Sequence, residues 1–128
     1  MTKLLLDTHI IIWIAENSPL FSDRARNALS DVSTEKYVSI VSAWEVAIKI
    51  GTGKLKIAGG LAEYYRIIDD IGFFTLPVER KHLRQVPTLP KYHKDPFDRL
   101  LVSTAIAENM TLITADVNIH KYDVSWLW

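Results

Sequence analysis

The sequence contains no cysteine among its 128 residues. The chain therefore cannot form disulfides, bind zinc through thiolates or use a cysteine nucleophile. The absence of cysteine also fits the reducing cytoplasm, which is where we expect the protein to act.

Long apolar runs are absent as well. None approaches the roughly 18 apolar residues that a membrane-spanning helix requires. The N-terminal run from Leu4 to Leu6 is too short for a signal peptide, and Asp7 ends it. We therefore expect no association with a membrane.

The chain has no excess charge of either sign, because 15 Lys and Arg residues balance 15 Asp and Glu residues. This balance argues against strong non-specific binding of nucleic acid by the whole surface, although it permits a local basic patch. The length and a hydrophobic content of 48% suit one compact core. We predict a single domain spanning residues 1–128.

Apolar runs of strand length alternate with segments of helical periodicity along the chain. The predicted order is β-α-α-β-α-α-β-α-α-β-β, with strands beginning near Lys3, Tyr37, Phe73, Thr111 and Val124. Strands separated by helices indicate a parallel sheet covered by helices on both faces. The predicted class is therefore α/β.

Two helix starts carry clear capping patterns. Ser42 followed by Glu45 has the form of a capping box, which would turn Trp44, Ala47 and Ile48 towards the core. Asp95 and Pro96 predict the cap and first residue of a helix that runs to about Asn109.

Carboxylates fall where the predicted strands end or the following helices begin. These are Asp7, Glu45, Asp98 and Asp116. Sites in parallel α/β sheets form beyond the carboxyl ends of the strands, so we expect the four side chains to meet at one edge. Taken singly, each has a structural alternative as a strand end, a helix cap or a turn residue. His9, His82, His93 and His120 show no metal-ligand spacing and are expected to be structural or exposed.

Four carboxylates in one place repel one another and raise one another's pKa values. A hard divalent cation relieves this repulsion, and an oxygen-rich site without thiolates suits Mg²⁺ or Mn²⁺. Such a site can generate hydroxide and stabilise charge on a phosphoryl group, which makes phosphodiester hydrolysis a suitable chemistry.

Five blocks of the sequence, in this order, resemble a PIN domain, and most of all the VapC-type toxins of prokaryotic toxin–antitoxin pairs. The blocks are Leu4–His9, Ser42–Lys49, Gly53–Leu55, His93–Leu101 and Leu112–Asp116. The resemblance implies a three-layer α/β/α fold with a central, mainly parallel five-stranded sheet. It also implies a toxin-type endoribonuclease that depends on Mg²⁺ or Mn²⁺, a homodimer, and a cognate VapB-like antitoxin that blocks the site.

The resemblance assigns the acidic, metal-binding site to Asp7, Glu45, Asp98 and Asp116, with Thr8, Ser42 and Asp95 as supporting polar residues. In our mechanistic hypothesis, water attacks the phosphorus in line, and Glu45 completes the site or orients that water. Candidates for holding the RNA backbone are basic: Lys49, Lys91, Lys94 and Arg99. Transfer, ribosomal and messenger RNA are all open as substrates.

Three other functions fit the pattern less well. A haloacid-dehalogenase-type phosphatase requires a second aspartate where this chain has His9. A receiver domain requires a phosphorylatable aspartate after the third strand, where this chain has Leu76 and Pro77. The main alternative is a PIN-like module that binds RNA or protein without cleaving, and the presence of all four acids argues against it.

Overall fold

The computed structural model describes residues 2–128, which form a five-stranded parallel sheet with helices on both faces. The strands are β1 (Lys3–Leu6), β2 (Glu35–Ser39), β3 (Phe74–Leu76), β4 (Thr111–Ile113) and β5 (Trp126–Leu127). The α-helices are α1 (Thr8–Ala15), α2 (Asp23–Ser30), α3 (Ile40–Gly51), α4 (Gly60–Ile71), α5 (Arg80–Leu83) and α6 (Pro96–Glu108). The predicted α/β class and the three-layer arrangement are confirmed.

The strands lie in the order β3-β2-β1-β4-β5. The central strand β1 pairs in parallel with β2 on one side, with Lys3 opposite Glu35. On its other side it pairs in parallel with β4, with Leu6 opposite Ile113. The chain moves outward in one direction from β1 to β3 and in the other direction through β4 and β5. The switch point, where ligands bind in open α/β sheets, therefore lies beyond the carboxyl ends of β1 and β4.

The alternating side chains of β1 divide the core between the two faces of the sheet. Leu4 and Leu6 pack with apolar residues of α1, α3 and α4, whereas Leu5 packs with Leu101 and Val102 of α6. This alternation follows from the two-residue period of a strand. Because β1 is covered on both faces, its three leucines are fully buried.

The start of α3 differs from the prediction. The helix begins at Ile40, and the cap is Ser39, whose hydroxyl accepts a hydrogen bond from the Val41 backbone N–H at 3.1 Å. Ser42 therefore lies inside the helix, and its predicted capping role is wrong. Both serines precede an apolar run, so the capping pattern alone does not distinguish them.

The shift of the helix start also changes which side of α3 is buried. The predicted inward residues Trp44 and Ile48 are 61% and 40% exposed, so that prediction is wrong. The buried face instead contains Ser42, Ala43, Glu45 and Val46. The polar residues Ser42 and Glu45 thus belong to the buried face of α3. Because this face is turned towards the sheet, Glu45 lies near the sheet edge.

The start of α6 agrees with the prediction. One carboxylate oxygen of Asp95 accepts hydrogen bonds from the backbone N–H groups of Phe97 and Asp98, at 2.8 and 3.4 Å. Pro96 occupies the first turn, and Asn109 ends the helix in a left-handed conformation. Within residues 2–128, no helix combines the length and the apolar character that crossing a membrane requires.

Candidate active site

The site begins with Asp7, which lies directly after the central strand. Its backbone N–H donates to the Ile113 carbonyl of β4, and its side chain caps α1 by accepting from the His9 N–H at 3.2 Å. The other carboxylate oxygen accepts from the Thr114 hydroxyl at 2.6 Å. Burial alone would raise the pKa of Asp7, but the hydrogen bonds from His9 and Thr114 outweigh it and lower that pKa. Asp7 is therefore ionised at neutral pH.

Glu45 is buried beside Asp7's neighbour Thr8. The Thr8 hydroxyl lies 2.9 Å from Glu45 Oε1 and 2.9 Å from Ser42 Oγ, so Thr8 links Ser42, another of the predicted supporting residues, to this carboxylate. The Lys49 ammonium lies 2.8 Å from Glu45 Oε2, one helical turn further on. That hydrogen bond raises the pKa of Lys49. The buried charge of Glu45 is thus balanced within the chain, as a buried carboxylate requires.

Asp98 and Asp116 are brought together by His93. Its Nε2 lies 2.7 Å from Asp116 Oδ2 and 3.1 Å from Asp98 Oδ2. One ligand atom from each of the three residues lies within 4.8 Å of the other two, a spacing that a single metal ion can bridge. A second hydrogen bond, from the Asn118 N–H at 2.9 Å, fixes the other oxygen of Asp116.

The charges of the other acids reach Asp98. Burial, followed by the negative charges of Asp7 and Asp95, raises the pKa of Asp98 to about 7, and His93 partly offsets this. Glu45 adds a smaller contribution in the same direction. The fold therefore places all four predicted acids at the carboxyl edge of the sheet. The charges of Asp7 and Glu45 act on Asp98, and Asp116 is linked to Asp98 through His93.

Thr114 connects the two strands on which the site is built. Its hydroxyl donates to Asp7 after β1 and accepts from the Asp116 N–H, at 3.1 Å, after β4. Neither Thr114 nor His93 was predicted to belong to the site. Thr114 had a usable signal, since it follows β4 directly, as Asp7 follows β1. For His93 no such signal existed, because its contacts depend on the loop before α6.

The basic candidates differ in their surroundings. Lys91 and Lys94 are exposed and line a surface recess of about 290 Å³ together with His93 and Arg99. The Arg99 guanidinium donates to the carbonyls of Val86 and Pro90, at 2.9 and 3.0 Å. Arg99 therefore fixes the wall of the recess, whereas the two lysines that line it are exposed.

A second cluster of histidine and carboxylates lies elsewhere, between α5 and α6. The buried His82 accepts from the Glu79 N–H at 3.0 Å, and its Nε2 lies 2.7 Å from Glu108 Oε1. The Lys81 ammonium lies 2.8 Å from the same Glu108 oxygen. Lys81 already supplies a positive charge to balance Glu108, so the cluster needs no cation. Its contacts join α5 to α6, in agreement with the predicted structural role of His82.

The model of the PIN domain family matches residues 4–125. The chain belongs to the PIN domain family. PIN domains are a family of nucleases that use divalent metals, and the carboxylates of Asp98 and Asp116, which lie together beside His93, can bind such an ion. No curated protein matches the sequence.

The fold resembles that of several solved VapBC proteins. VapBC2 from Rickettsia felis, bound to a DNA fragment from its promoter, matches with a TM-score of 0.70 and 19% identity over 98% of both chains. VapBC-1 from nontypeable Haemophilus influenzae matches with a TM-score of 0.68 and 20% identity over 98% of this chain and 97% of that one. VapBC-5 from Mycobacterium tuberculosis, a member of the VapBC family of toxin–antitoxin systems, has a TM-score of 0.61 at 15% identity, over 99% and 97%. At these identities, the likeness is one of fold.

Proposed function

We propose that this PIN domain is a toxin-type endoribonuclease that hydrolyses RNA phosphodiester bonds at the acidic edge of its sheet. The observation that carries the proposal is the crowding of acids at the switch point. Asp98 and Asp116 both lie against His93, and burial, followed by the charges of Asp7, Asp95 and Glu45, raises the pKa of Asp98 to about 7. Such crowding is unfavourable in the free protein and becomes favourable when a cation binds.

The side chains fit a hard divalent cation, Mg²⁺ or Mn²⁺. The available ligands are carboxylate oxygens, and no thiolate exists in the chain. Asp98 and Asp116 would hold the ion, with Asp7 and Glu45 contributing directly or through water. When bound, the ion supplies Lewis acidity for the phosphoryl oxygens and for a hydrolytic water.

The chain's own residues would prepare the reaction. Asp7 is kept ionised by Thr114 and His9, and so provides a fixed negative charge at the end of β1. Glu45, held by Thr8 and Lys49, has a fixed orientation and would orient the attacking water or complete the acidic site. Because these groups are positioned before substrate binds, little reorganisation is needed during the reaction.

RNA would be held next to the acids through its phosphates. Lys91 and Lys94 line a recess together with His93, which also contacts Asp98 and Asp116, so this recess adjoins the proposed cleavage site. Lys49 and Arg99 were also predicted to bind RNA, but each already has partners within the chain. We propose Lys91 and Lys94 as the principal phosphate contacts, with smaller contributions from Lys49 and Arg99.

We propose a VapB-like antitoxin and a second copy of the chain as protein partners, and the cytoplasm as the place of action. The VapBC complexes of similar fold support the first partner. The apolar side chains exposed on α3, at Ile40, Trp44 and Ile48, offer surface for protein contact. We also propose that residues 1–128 act as a single domain. Light scattering of the purified chain, alone and with a co-expressed antitoxin, measures both assemblies.

The proposed activity is tested by incubating the purified chain with total RNA and mapping the new ends. We expect cleavage with Mn²⁺ or Mg²⁺, none with EDTA, and none with Asp7→Asn. A DNA strand of the same sequence as a cleaved RNA serves as the substrate control. Binding of RNA without metal-dependent cleavage would instead support the alternative, a PIN-like module that binds RNA or protein without cleaving.

A further inference from the structure

The ring of His93 contacts three different groups at the acidic edge. Its Nε2 faces Asp116 Oδ2 and Asp98 Oδ2 at 2.7 and 3.1 Å, and its Nδ1 lies 3.1 Å from the backbone N of Asp95. The side chain is only 15% exposed. Both ring nitrogens are therefore committed to contacts within the chain.

These contacts determine which nitrogen carries the proton. A backbone N–H can only donate, so Nδ1 must accept the Asp95 hydrogen bond through its lone pair. A ring with a lone pair on Nδ1 carries its hydrogen on Nε2. Nε2 therefore donates its hydrogen bond to Asp116 Oδ2, with Asp98 Oδ2 only 3.1 Å away, and has no lone pair to offer a cation.

The ring is held in place by groups other than the carboxylates. The His93 backbone N–H donates to the Tyr122 hydroxyl oxygen at 3.0 Å. Arg99 fixes the preceding loop through the carbonyls of Val86 and Pro90. The position of the N–H donor is thus set by the loop and by α6, independently of the groups that it contacts.

We propose that His93 is a positioning residue, and that it is not a metal ligand. Its Nε2–H donates a hydrogen bond to Asp116 and also faces Asp98 Oδ2. The donor keeps the two carboxylates side by side before a cation arrives and offsets part of their repulsion. Each carboxylate oxygen has two lone pairs, so the oxygens that His93 contacts can still bind a cation. This inference rests on the proposed function, because it concerns the same metal-binding acids.

Direct coordination by His93 would require a different local structure. The ring hydrogen would have to move from Nε2 to Nδ1, where it would point at the Asp95 N–H instead of accepting from it. That hydrogen bond lies at the residue that caps α6 and presents Asp98. Coordination by His93 would therefore disturb the segment that orients a neighbouring ligand.

Mn²⁺ affinity, measured by electron paramagnetic resonance without RNA, separates positioning from coordination. Glutamine can place an amide N–H donor where Nε2 lies, so His93→Gln should bind Mn²⁺ nearly as well as the wild type. His93→Ala lacks the donor, and its Kd should rise about 10- to 100-fold, as expected when a group that orients a metal ligand is lost. His120→Gln is the control, since its ring contacts the Thr114 carbonyl and no carboxylate. Circular dichroism checks that each variant is folded.

Electron spin-echo envelope modulation of the wild-type Mn²⁺ complex provides an independent test. We expect no signal from a directly coordinated imidazole nitrogen. Such a signal, if lost in His93→Gln, would overturn the inference, as would unchanged Mn²⁺ affinity in a folded His93→Ala variant. If one of these two results is obtained while the wild type still binds Mn²⁺ and cleaves RNA, only the proposed role of His93 is wrong. If the wild type neither binds Mn²⁺ nor cleaves RNA, the proposed function fails together with this inference.

Discussion

The hydroxyl of Thr114 lies 2.6 Å from Oδ2 of Asp7, and this hydrogen bond joins the ends of the two strands that carry the site. The residues are separated by 107 positions in sequence, so the contact exists only because β4 lies beside β1. A donor to a buried carboxylate is worth more than one to a neutral acceptor, because it stabilises a charge that burial disfavours.

Replacing Thr114 by valine keeps the shape of the side chain and removes this donor. We expect the free energy of unfolding at pH 7 to fall by about 1–3 kcal/mol, as measured by urea denaturation. Thr111→Val, at the start of β4, is the matched control, because the Thr111 hydroxyl makes no hydrogen bond within residues 2–128. Equal stability of the two variants would contradict the assigned role of Thr114.

The effect of Thr114→Val should also depend on pH. Burial raises the pKa of Asp7, but hydrogen bonds lower it overall. Ionised Asp7 therefore stabilises the folded state fully when the pH is above 3.8, the ordinary pKa of an aspartate. That contribution is lost as the pH falls through the folded-state pKa. The difference in stability between wild type and Thr114→Val should therefore shrink in acid. A difference that grows below pH 4 would show that Asp7 is not held in its ionised form.

Asp98→Asn tests the opposite case. Burial and, after it, neighbouring charges raise the pKa of the Asp98 carboxyl from 3.8 to about 7. The folded wild type holds this proton more tightly than the unfolded chain, so its stability falls as the pH rises from about 4 to 7. The full difference in pKa corresponds to at most about 4 kcal/mol. In EDTA, Asp98→Asn should thus gain stability relative to the wild type between pH 4 and pH 8.

Added Mn²⁺ should stabilise the wild type relative to Asp98→Asn at pH 8. Binding of the ion to the wild-type acids stabilises the folded state by mass action. The thermal midpoint of the wild type should rise with Mn²⁺ concentration, and that of Asp98→Asn should rise much less. A midpoint that is independent of Mn²⁺ in both proteins would show that these acids do not bind the ion.

The basic residues of the recess should separate into two groups when each is replaced by alanine. Lys91→Ala and Lys94→Ala should weaken RNA binding and reduce its salt dependence by about 0.7 for each lost phosphate contact to a single strand. Arg99→Ala should mainly lower stability, because it leaves carbonyls of the loop without their donor. Fluorescence anisotropy with a labelled RNA and the cleavage-deficient Asp7→Asn background measures binding without substrate loss.

The fold followed from the sequence because its signals are local and repeated. The apolar run at Leu4–Leu6 and the cap at Asp95 determine their elements within a few residues, and helices between strands require parallel pairing. Asp7 and Asp116 could be placed at one edge for the same reason, because each follows a parallel strand. Glu45 and Asp98 joined this set because each lies near the start of a predicted helix, and the family blocks contain the same four acids.

What the sequence did not reveal depends on choices between nearly equal local patterns or on loop geometry. Ser39 and Ser42 both suit a helix cap, and choosing Ser42 turned the predicted face of α3 towards Trp44. His93 contacts Asp116 across 23 positions, through a loop whose path is set by Arg99 and Tyr122. No periodicity encodes such a path, so this contact required the folded structure.

The cleavage rate of Asp98→Asn in Mn²⁺ tests the central claim most directly. Asparagine retains the size of the side chain but removes the negative charge, so a metal-dependent reaction at this site should lose a factor of about 10² or more in rate. Asp69→Asn, which changes an exposed carboxylate on α4, should cleave at the wild-type rate. Loss of cleavage by folded Asp98→Asn alone is the predicted result. Equal cleavage by wild type, Asp98→Asn and Asp69→Asn would contradict the account.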